Sequence, residues 1–217
     1  MKLLLLLIIT LNIFAQELGS YIGPTLSQLN YLSNKKELKL CIGPDSMPFE
    51  DFGEKGEYIG LTSDYYKIFS KNLNIPINVV PVKTWKESID LAKDRKCDII
   101  SAMQTEERKQ YLNFTSPYLK TPVVIATNNT RAFILDFKDL TNEKIGVPKS
   151  YAYVEELKKI YPNINYVEVP TIKDGLKKVI DGELYGQVGT LACIGYFFIT
   201  DFVGSLKIAG KTDKVNL

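Results

Sequence analysis

The chain has 217 residues, of which 45% are hydrophobic and 24% charged, and its formal net charge is +2. This length suits one or two domains, and the apolar content is sufficient for a buried core. The near balance of charge excludes the basic footprint typical of nucleic-acid-binding proteins, so no nucleic-acid partner is predicted. The chain has no histidine and no Cys-x-x-Cys pair, which argues against a metal site, and no cofactor is predicted.

The first fifteen residues have the pattern of a secretory signal. Lys2 supplies a positive charge, Leu3 to Phe14 form an apolar run, and Ala15 ends the cleavage site. The alternative is an uncleaved anchor, but the run is shorter than the roughly 20 residues that span a bilayer. We expect cleavage after Ala15 and export to the periplasm, with a membrane tether left open. Residues 16–37 are predicted to be a leader and a short helix starting at Thr25.

Two series of alternating strands and helices follow, which indicates an α/β fold with parallel sheets. Apolar spacing and cap residues give the first series, in which Thr62 or Ser63 caps the first helix. An extended apolar run from Leu119 to Thr127 is predicted to cross between two lobes. The first series is strand Leu38–Gly43, helix Leu61–Leu73, strand Ile75–Val82, a helix opened by the Thr84–Glu87 capping box, and strand Asp98–Ala102.

The second series is punctuated by clear start and stop residues. Ser150 is predicted to cap a helix that Pro162 ends, and Thr171 caps the next, with Gly182 as its stop. The remaining elements are strands near 144–147, 165–169, 187–189 and 206–209, a short turn or helix at 136–140, and an apolar helix from Leu191 to Ile199. The predicted boundaries are residues 38–122 for lobe 1, 123–210 for lobe 2 and 211–217 for the start of a return crossing.

Three cysteines make an odd count for an exported chain. Cys41 and Cys97 lie in two strands expected to be neighbours, so a disulfide is possible, although their offsets do not look ideal for one. Whether they pair is left open. Cys193 lies in the apolar helix and is predicted to be a packed thiol.

The stretch from Cys97 to Leu119 contains the strongest candidate for a binding residue. A buried strand leads into a predicted helix that Thr105 can cap, with Glu106 and Glu107 in its first turn. Arg108 follows them, although a helix start disfavours a cation. Of 27 basic residues only three are arginine, so this chain uses lysine wherever a simple charge suffices. Arginine alone supplies the planar fork that grips a carboxylate, but pairing with Glu106 or Glu107 is the competing interpretation.

Two motifs in this region carry a family resemblance. Thr105-Glu106-Glu107-Arg108 followed by Phe114-Thr115-Ser116-Pro117-Tyr118 resembles the signature of the bacterial extracellular solute-binding proteins of family 3, and 44–50 (Pro-Asp-Ser-Met-Pro-Phe-Glu) is similar to the versions in sensor kinases. The resemblance implies a two-lobed Venus-flytrap fold that binds amino acids and similar small molecules. Family members continue beyond the equivalent of Leu217, so we expect a truncated lobe 1 with uncovered apolar surface and weak stability.

The resemblance also implies a ligand site between the lobes. Arg108 matches the position that grips the ligand carboxylate, and Trp85 matches an aromatic wall, although it could equally be a core residue of its helix. Ser101 and Met103 fall where main-chain groups face the ligand. In lobe 2 the residues at a helix start, whose amides can cap the same carboxylate, are Ser150, Tyr151 and Ala152.

Two departures from the family pattern bear on the ligand. Thr190 stands where amino-acid binders place an aspartate for the ligand ammonium, and a hydroxyl cannot neutralise a buried cation. Ser46 replaces a tryptophan of the sensor-kinase motif, which leaves one wall of the cleft bare. We therefore expect a small anionic or carboxylate ligand, with amino acids as one option.

The predicted function is ligand binding by lobe closure rather than catalysis. The implied partner is either a membrane transporter or a sensor histidine kinase or cyclase, and the sequence leaves the two open. The alternative is a periplasmic enzyme of the same fold, related to dehydratases or to domains of cell-wall lyases. Without histidine no Ser-His or Cys-His pair can form, so Glu50 or Asp45 would have to act as acid or base.

Overall fold

A computed structural model describes residues 24–216, with side chains described as far as Thr212. The predicted signal segment, residues 1–15, and most of the leader lie outside the described residues. The chain divides into two units, Met1–Glu37 and Leu38–Leu217. In the first, helix α1 spans Leu26–Asn34 and confirms the predicted short helix. Thr25 caps it, because its Oγ1 accepts the Gln28 amide while Gln28 Oε1 accepts the amide of Thr25.

The second unit begins with a three-stranded parallel sheet, which with its helices we call lobe 1. The strand order is β4-β1-β5, so β1 is the central strand and pairs in parallel with β4 on one side and β5 on the other. A two-stranded hairpin, β2 with β3, lies between β1 and the first long helix. The elements are β1 (Leu38–Cys41), β2 (Asp51–Phe52), β3 (Tyr58–Ile59), α2 (Leu61–Leu73), β4 (Ile77–Val79), α3 (Trp85–Lys93) and β5 (Ile99–Ile100).

The predicted helices of lobe 1 are present, but one cap is different. Helix α2 begins after Gly60, not at Thr62 or Ser63, which lie buried in its first turn. Thr84 caps α3 as predicted, since its Oγ1 accepts the Glu87 amide at 3.2 Å, but Glu87 Oε2 accepts the Lys83 amide at 2.8 Å in place of the reciprocal bond of the predicted capping box. The apolar side chains of α2 form its exposed face, with exposed fractions of 38–53% for Leu61, Ile68, Phe69 and Leu73.

A five-stranded sheet with helices on both faces forms lobe 2. Its order is β10-β6-β9-β7-β8, with β7 parallel to β8 and β9, and β6 antiparallel to β9 and β10. Strand β10 continues through residues predicted to begin the return crossing. The elements are β6 (Pro122–Asn128), β7 (Lys144–Pro148), α4 (Ala152–Ile160), β8 (Asn165–Val169), α5 (Ile172–Ile180), β9 (Gly186–Thr190), α6 (Leu191–Thr200) and β10 (Leu206–Asn216).

The cysteines take up both of the roles considered from the sequence. Cys41 and Cys97 are joined in a disulfide, with their Cα atoms 5.8 Å apart. Cys193 is a buried free thiol in α6, and burial raises the pKa of Cys193 to about 11. Within residues 24–216, no helix combines the length and the apolar character needed to cross a membrane.

Candidate functional site

Arg108 opens a single turn of 3-10 helix, Arg108–Gln110, that follows the end of β5. Thr105 holds this turn, because its Oγ1 accepts the Arg108 amide at 3.2 Å and its carbonyl accepts the Lys109 amide at 3.0 Å. The predicted helix is therefore only one turn long, although Thr105 does stabilise its start. The turn brings the Arg108 side chain back towards β5 and into the interior, where it is 6% exposed.

The guanidinium of Arg108 is held by neutral groups. Its Nη1 donates to the Met103 carbonyl at 3.0 Å, and its Cζ lies 5.4 Å from the centre of the Trp85 ring. Burial lowers the pKa of Arg108, and this effect is partly offset by Tyr111 and Glu107.

The two acids beside Arg108 are paired with lysines. Glu106 Oε1 lies 2.6 Å from Lys109 Nζ, and Glu107 Oε1 lies 3.5 Å from Lys93 Nζ. Among the described residues, no carboxylate lies within 4.0 Å of the Arg108 guanidinium. The structure therefore does not show the simple ion pair that competed with a binding role, and among the described residues Glu107 acts on the buried guanidinium only from beyond ion-pair distance.

Trp85 and Tyr151 meet at the junction between the lobes. Trp85 is the first residue of α3 and is half-buried, and its ring centre lies 6.5 Å from that of Tyr151, at the start of α4. The Tyr151 hydroxyl lies 3.1 Å from Ser46 Oγ in lobe 1. Trp85 thus faces both the guanidinium and the second lobe, as expected for a wall of a cleft.

Residues 43–50, which we call the cleft loop, make further contacts with lobe 2. Cys193 Sγ donates to the Ser46 carbonyl at 3.7 Å. The half-buried Phe49 packs against the lobe 2 core cluster that includes Cys193 and Ile194. Tyr151 of lobe 2 therefore lies next to Ser46, at the position where the sensor-kinase motif has a tryptophan.

The start of α4 differs in one respect from the prediction. Tyr151, not Ser150, is the cap residue, and it makes no side-chain capping bond. Ser150 is exposed and has a φ of 66°, a left-handed conformation in which its hydroxyl does not reach the first-turn amides. Ala152 is the first helical residue and is half-buried. The backbone amides in the first turn of α4 therefore have no side-chain cap. They lie at the end of the helix that favours anions.

Ser101 and Thr190 bond within their own lobes, whereas Met103 contacts both lobes. Ser101 Oγ lies 2.9 Å from the Tyr66 hydroxyl and 2.8 Å from the Tyr118 hydroxyl. Thr190 is buried and caps α6, because its Oγ1 accepts the Cys193 amide at 3.3 Å. Met103 bonds Arg108 through its carbonyl, and its side chain packs against a lobe 2 core cluster. The structure brings Arg108, Trp85, Met103 and Tyr151 together at the junction.

Sequence reasoning placed the turn at residues 43–46 as a candidate wall of the pocket, but it did not predict the contacts of the cleft loop with lobe 2. Ser46 was noted only as a missing aromatic, and Phe49 was not singled out. Glu50 was considered only as an acid or base for catalysis, whereas the structure buries it at 5% exposure at the end of the loop. Two of its hydrogen-bond partners, Tyr58 and Thr62, lie on later elements, so the loop sequence alone gave no signal of its burial.

Solved proteins share this architecture. The periplasmic VFT2 domain of BvgS from Bordetella pertussis matches with a TM-score of 0.79 at 19% identity, covering 88% of this chain and 82% of that one. An ancestral arginine-binding protein bound to glutamine matches with a TM-score of 0.72 at 21% identity, covering 82% and 80%. The chain therefore has the two-lobed Venus-flytrap fold of periplasmic binding proteins.

The family follows from the sequence match. The model of the bacterial extracellular solute-binding proteins, family 3, matches residues 38–188, and the chain belongs to this family. Virulence sensor protein BvgS of Bordetella bronchiseptica is 22% identical over 84% of this chain, which spans 15% of that protein. Membrane-bound lytic murein transglycosylase F of Pseudomonas fluorescens is 26% identical over 69% of this chain and 32% of that protein. The chain thus spans only a small part of the relatives' length.

Proposed function

We propose that this chain binds a small carboxylate ligand between its lobes, with Arg108 gripping the carboxylate and the lobes closing around it. The observation that carries the proposal is the buried guanidinium beside an aromatic wall, with no carboxylate of the described residues within 4.0 Å. A buried charge is costly unless it is paired, and a bound carboxylate would supply the missing partner. Trp85 and the α4 start at Ser150, Tyr151 and Ala152 complete the proposed pocket.

The ligand class is a carboxylate, with amino acids included. The solved arginine-binding neighbour favours an amino acid. Thr190 argues against strong recognition of an α-ammonium group, because its hydroxyl already accepts the Cys193 amide. We place Thr190, Ser101 and Met103 at the pocket edge, where Ser101 and Met103 contribute main-chain groups.

The proposed setting is the periplasm, after export by the signal segment. The chain would pass its ligand to a membrane transporter or serve as the input domain of a membrane sensor. The names of the relatives favour the sensor, since BvgS is a virulence sensor protein. A sensor histidine kinase or cyclase is then the partner of the closed form.

Calorimetry of the purified chain with glutamine, arginine, glutamate and succinate tests the proposed site. Arg108→Lys keeps the charge but loses the two-pronged contact, so we expect the Kd of the bound compound to rise about tenfold or more. Arg95→Lys is the matched control, because Arg95 is exposed, and it should bind like the parent. Equal affinity of Arg108→Lys and parent for a confirmed ligand would refute the site.

The rival function is catalysis, and one observation bears on it. The transglycosylase relative is about three times longer than the part of it that matches this chain, so its name describes a larger protein. In this chain both Glu50 oxygens are hydrogen-bonded within the protein, to the Gly43 amide and to the Tyr58 and Thr62 hydroxyls. Glu50 is therefore poorly placed to act as an acid or base on a bound compound, and our proposal is a binding protein.

A further inference from the structure

Glu50 is a buried carboxyl group that no cation neutralises. Its side chain is 5% exposed, and no lysine or arginine lies within 4.0 Å of it among the described residues. Five other titratable side chains interact with it and none of them is a cation. They are Asp51 on β2, Tyr58 on β3, Tyr66 on α2, Tyr118 before β6 and Tyr151 at the α4 start.

Three short oxygen–oxygen contacts lie next to Glu50, but the two hydroxyl groups in them supply only two protons. Glu50 Oε2 lies 2.9 Å from the Tyr58 hydroxyl, which lies 2.8 Å from Thr62 Oγ1. Thr62 Oγ1 lies in turn 2.8 Å from the Phe49 carbonyl. Tyr58 and Thr62 supply one proton each. With a charged Glu50, at least one of these three contacts joins two oxygens with no hydrogen between them.

A third proton on Glu50 Oε2 resolves this arrangement. Glu50 then donates to Tyr58, Tyr58 donates to Thr62, and Thr62 donates to the Phe49 carbonyl, so all three short contacts are hydrogen bonds. The other carboxyl oxygen, Oε1, still accepts the Gly43 amide at 2.6 Å. Only the longer contact of 3.1 Å between Glu50 Oε2 and Thr62 Oγ1 lacks a hydrogen. The spacing thus fits a neutral carboxylic acid.

This chain of hydrogen bonds holds both ends of the cleft loop. Gly43 opens the loop, and Phe49 precedes Glu50 and packs against the lobe 2 core. The loop is also closed on itself by a bridge between Ser46 and Glu50, and Ser46 contacts Tyr151 across the junction. A change at Glu50 therefore acts on the segment of lobe 1 that contacts lobe 2.

We propose that Glu50 is a positioning residue that carries a proton when the cleft loop is docked on lobe 2, so that proton loss loosens the loop and the contact between the lobes. The pKa of Glu50 is raised from 4.5 to about 7, chiefly by burial. Hydrogen bonds from Gly43, Tyr58 and Thr62 oppose this increase. The proposal does not depend on a carboxylate ligand, so failure of the Arg108 test leaves it standing.

The direction of the pH effect follows from linkage. Glu50 binds its proton more tightly in the folded chain than in the unfolded chain, so the folded state gains from this group at low pH. That contribution is complete below about pH 4.5, decreases as the pH rises to about 7, and changes no further above it. The parent protein should accordingly lose roughly 7–14 °C of melting temperature across this window from Glu50 alone.

Glu50→Gln is the variant that separates this proposal from a purely structural role. A glutamine amide can accept the Gly43 amide and donate to Tyr58, so it mimics the protonated acid and keeps the chain of hydrogen bonds. We expect Glu50→Gln to fold, to melt above the parent at about pH 8, and to lose the parent's pH-dependent step. The matched control is Glu54→Gln, a change at an exposed acid, which should keep that step.

Two spectroscopic measurements on the parent and both variants, from about pH 5 to about pH 9, complete the test. Infrared difference spectra should show the band of a protonated carboxyl disappearing with a midpoint near 7 in the parent and Glu54→Gln, and not in Glu50→Gln. Trp85, the single tryptophan, lies beside Gly43, since a Cβ added to Gly43 would be 3.2 Å from the indole, so its emission should change with the same midpoint. The proposal is overturned if Glu50→Gln melts below the parent at every pH, or if the band is lost below about pH 5.

Discussion

Gln187 is a fully buried polar side chain in strand β9, and two glycines make room for it. Its Nε2 donates to the Val188 carbonyl at 2.9 Å, while Oε1 has no hydrogen-bond partner. A methyl group placed on Gly146 of β7 or on Gly175 of α5 would overlap Oε1. Gly175 is thus required by a neighbour across the sheet–helix interface, although helix propensity alone disfavours glycine there.

A matched pair of helical glycines tests this explanation. Gly175→Ala forces a buried side chain to move, so we expect the free energy of unfolding to fall by about 1–3 kcal/mol. Gly195 lies in α6 with no atom within 4 Å of the added methyl group, so Gly195→Ala should raise it by about 0.5–1 kcal/mol. Chemical denaturation of both variants measures the difference. A stabilised Gly175→Ala would show that Gln187 does not fix this position.

At the scale of elements, three helices end in the same way. A left-handed residue lies one or two positions beyond the last helical residue, and its amide and the next one bond back to carbonyls of the last turn, as in a Schellman motif. Asn74 after α2, Arg95 after α3 and Gly182 after α5 have φ values of 51°, 58° and 78°. At Arg95 the bonds run from Arg95 N to the Ala92 carbonyl at 3.1 Å and from Lys96 N to the Leu91 carbonyl at 2.9 Å.

Arg95 is the poorest of these three residues for a left-handed position, since its Cβ is strained there and Arg95 gains no buried contact in return. Arg95→Gly should therefore raise the free energy of unfolding by up to about 1 kcal/mol. The converse change, Gly182→Ala, should lower it by about 1 kcal/mol, because the site is sterically open and only the backbone is affected. Denaturant titrations in which both variants shift the same way would contradict the assignment.

The same elements show what could be read from the chain and what could not. Apolar spacing located the main helices and strands of both lobes but not the short β2–β3 hairpin, and Gly182 was recognised as a stop because glycine is the common residue there. Arg95 and Ser150 were not recognised as left-handed, since their conformation is imposed by the surrounding fold rather than by their own preference. Sequence also singled out Arg108 as a candidate ligand-binding residue from its own turn, and this role stays a prediction. The contact of Ser46 with Tyr151, separated by 105 residues, and the hydrogen bonds of Glu50 depend on tertiary packing.

Across the whole molecule, buried apolar side chains are distributed unevenly between the lobes. The lobe 1 core cluster contains Leu40, Ile42, Tyr66 and Val82, whereas the two clusters of lobe 2 contain twelve and eleven buried residues within the described chain. Lobe 1 also exposes the apolar face of α2. Because buried apolar area dominates folding stability, lobe 1 should open at lower free energy than lobe 2.

The disulfide compensates for this small core. Cys41 and Cys97 are 56 residues apart and tie β1 to the segment that enters β5, and closing a loop of this length is worth about 4 kcal/mol in the chain-entropy model. Reduction should therefore destabilise lobe 1 first, and hydrogen exchange resolved by peptide should speed up in β1, β4 and β5 before β6, β7 and β9. Cys193→Ala, which leaves the disulfide intact, is the control for reductant acting at the free thiol. Equal acceleration in both sheets on reduction would mean that the lobes unfold as one cooperative unit, against the stability difference inferred from their cores.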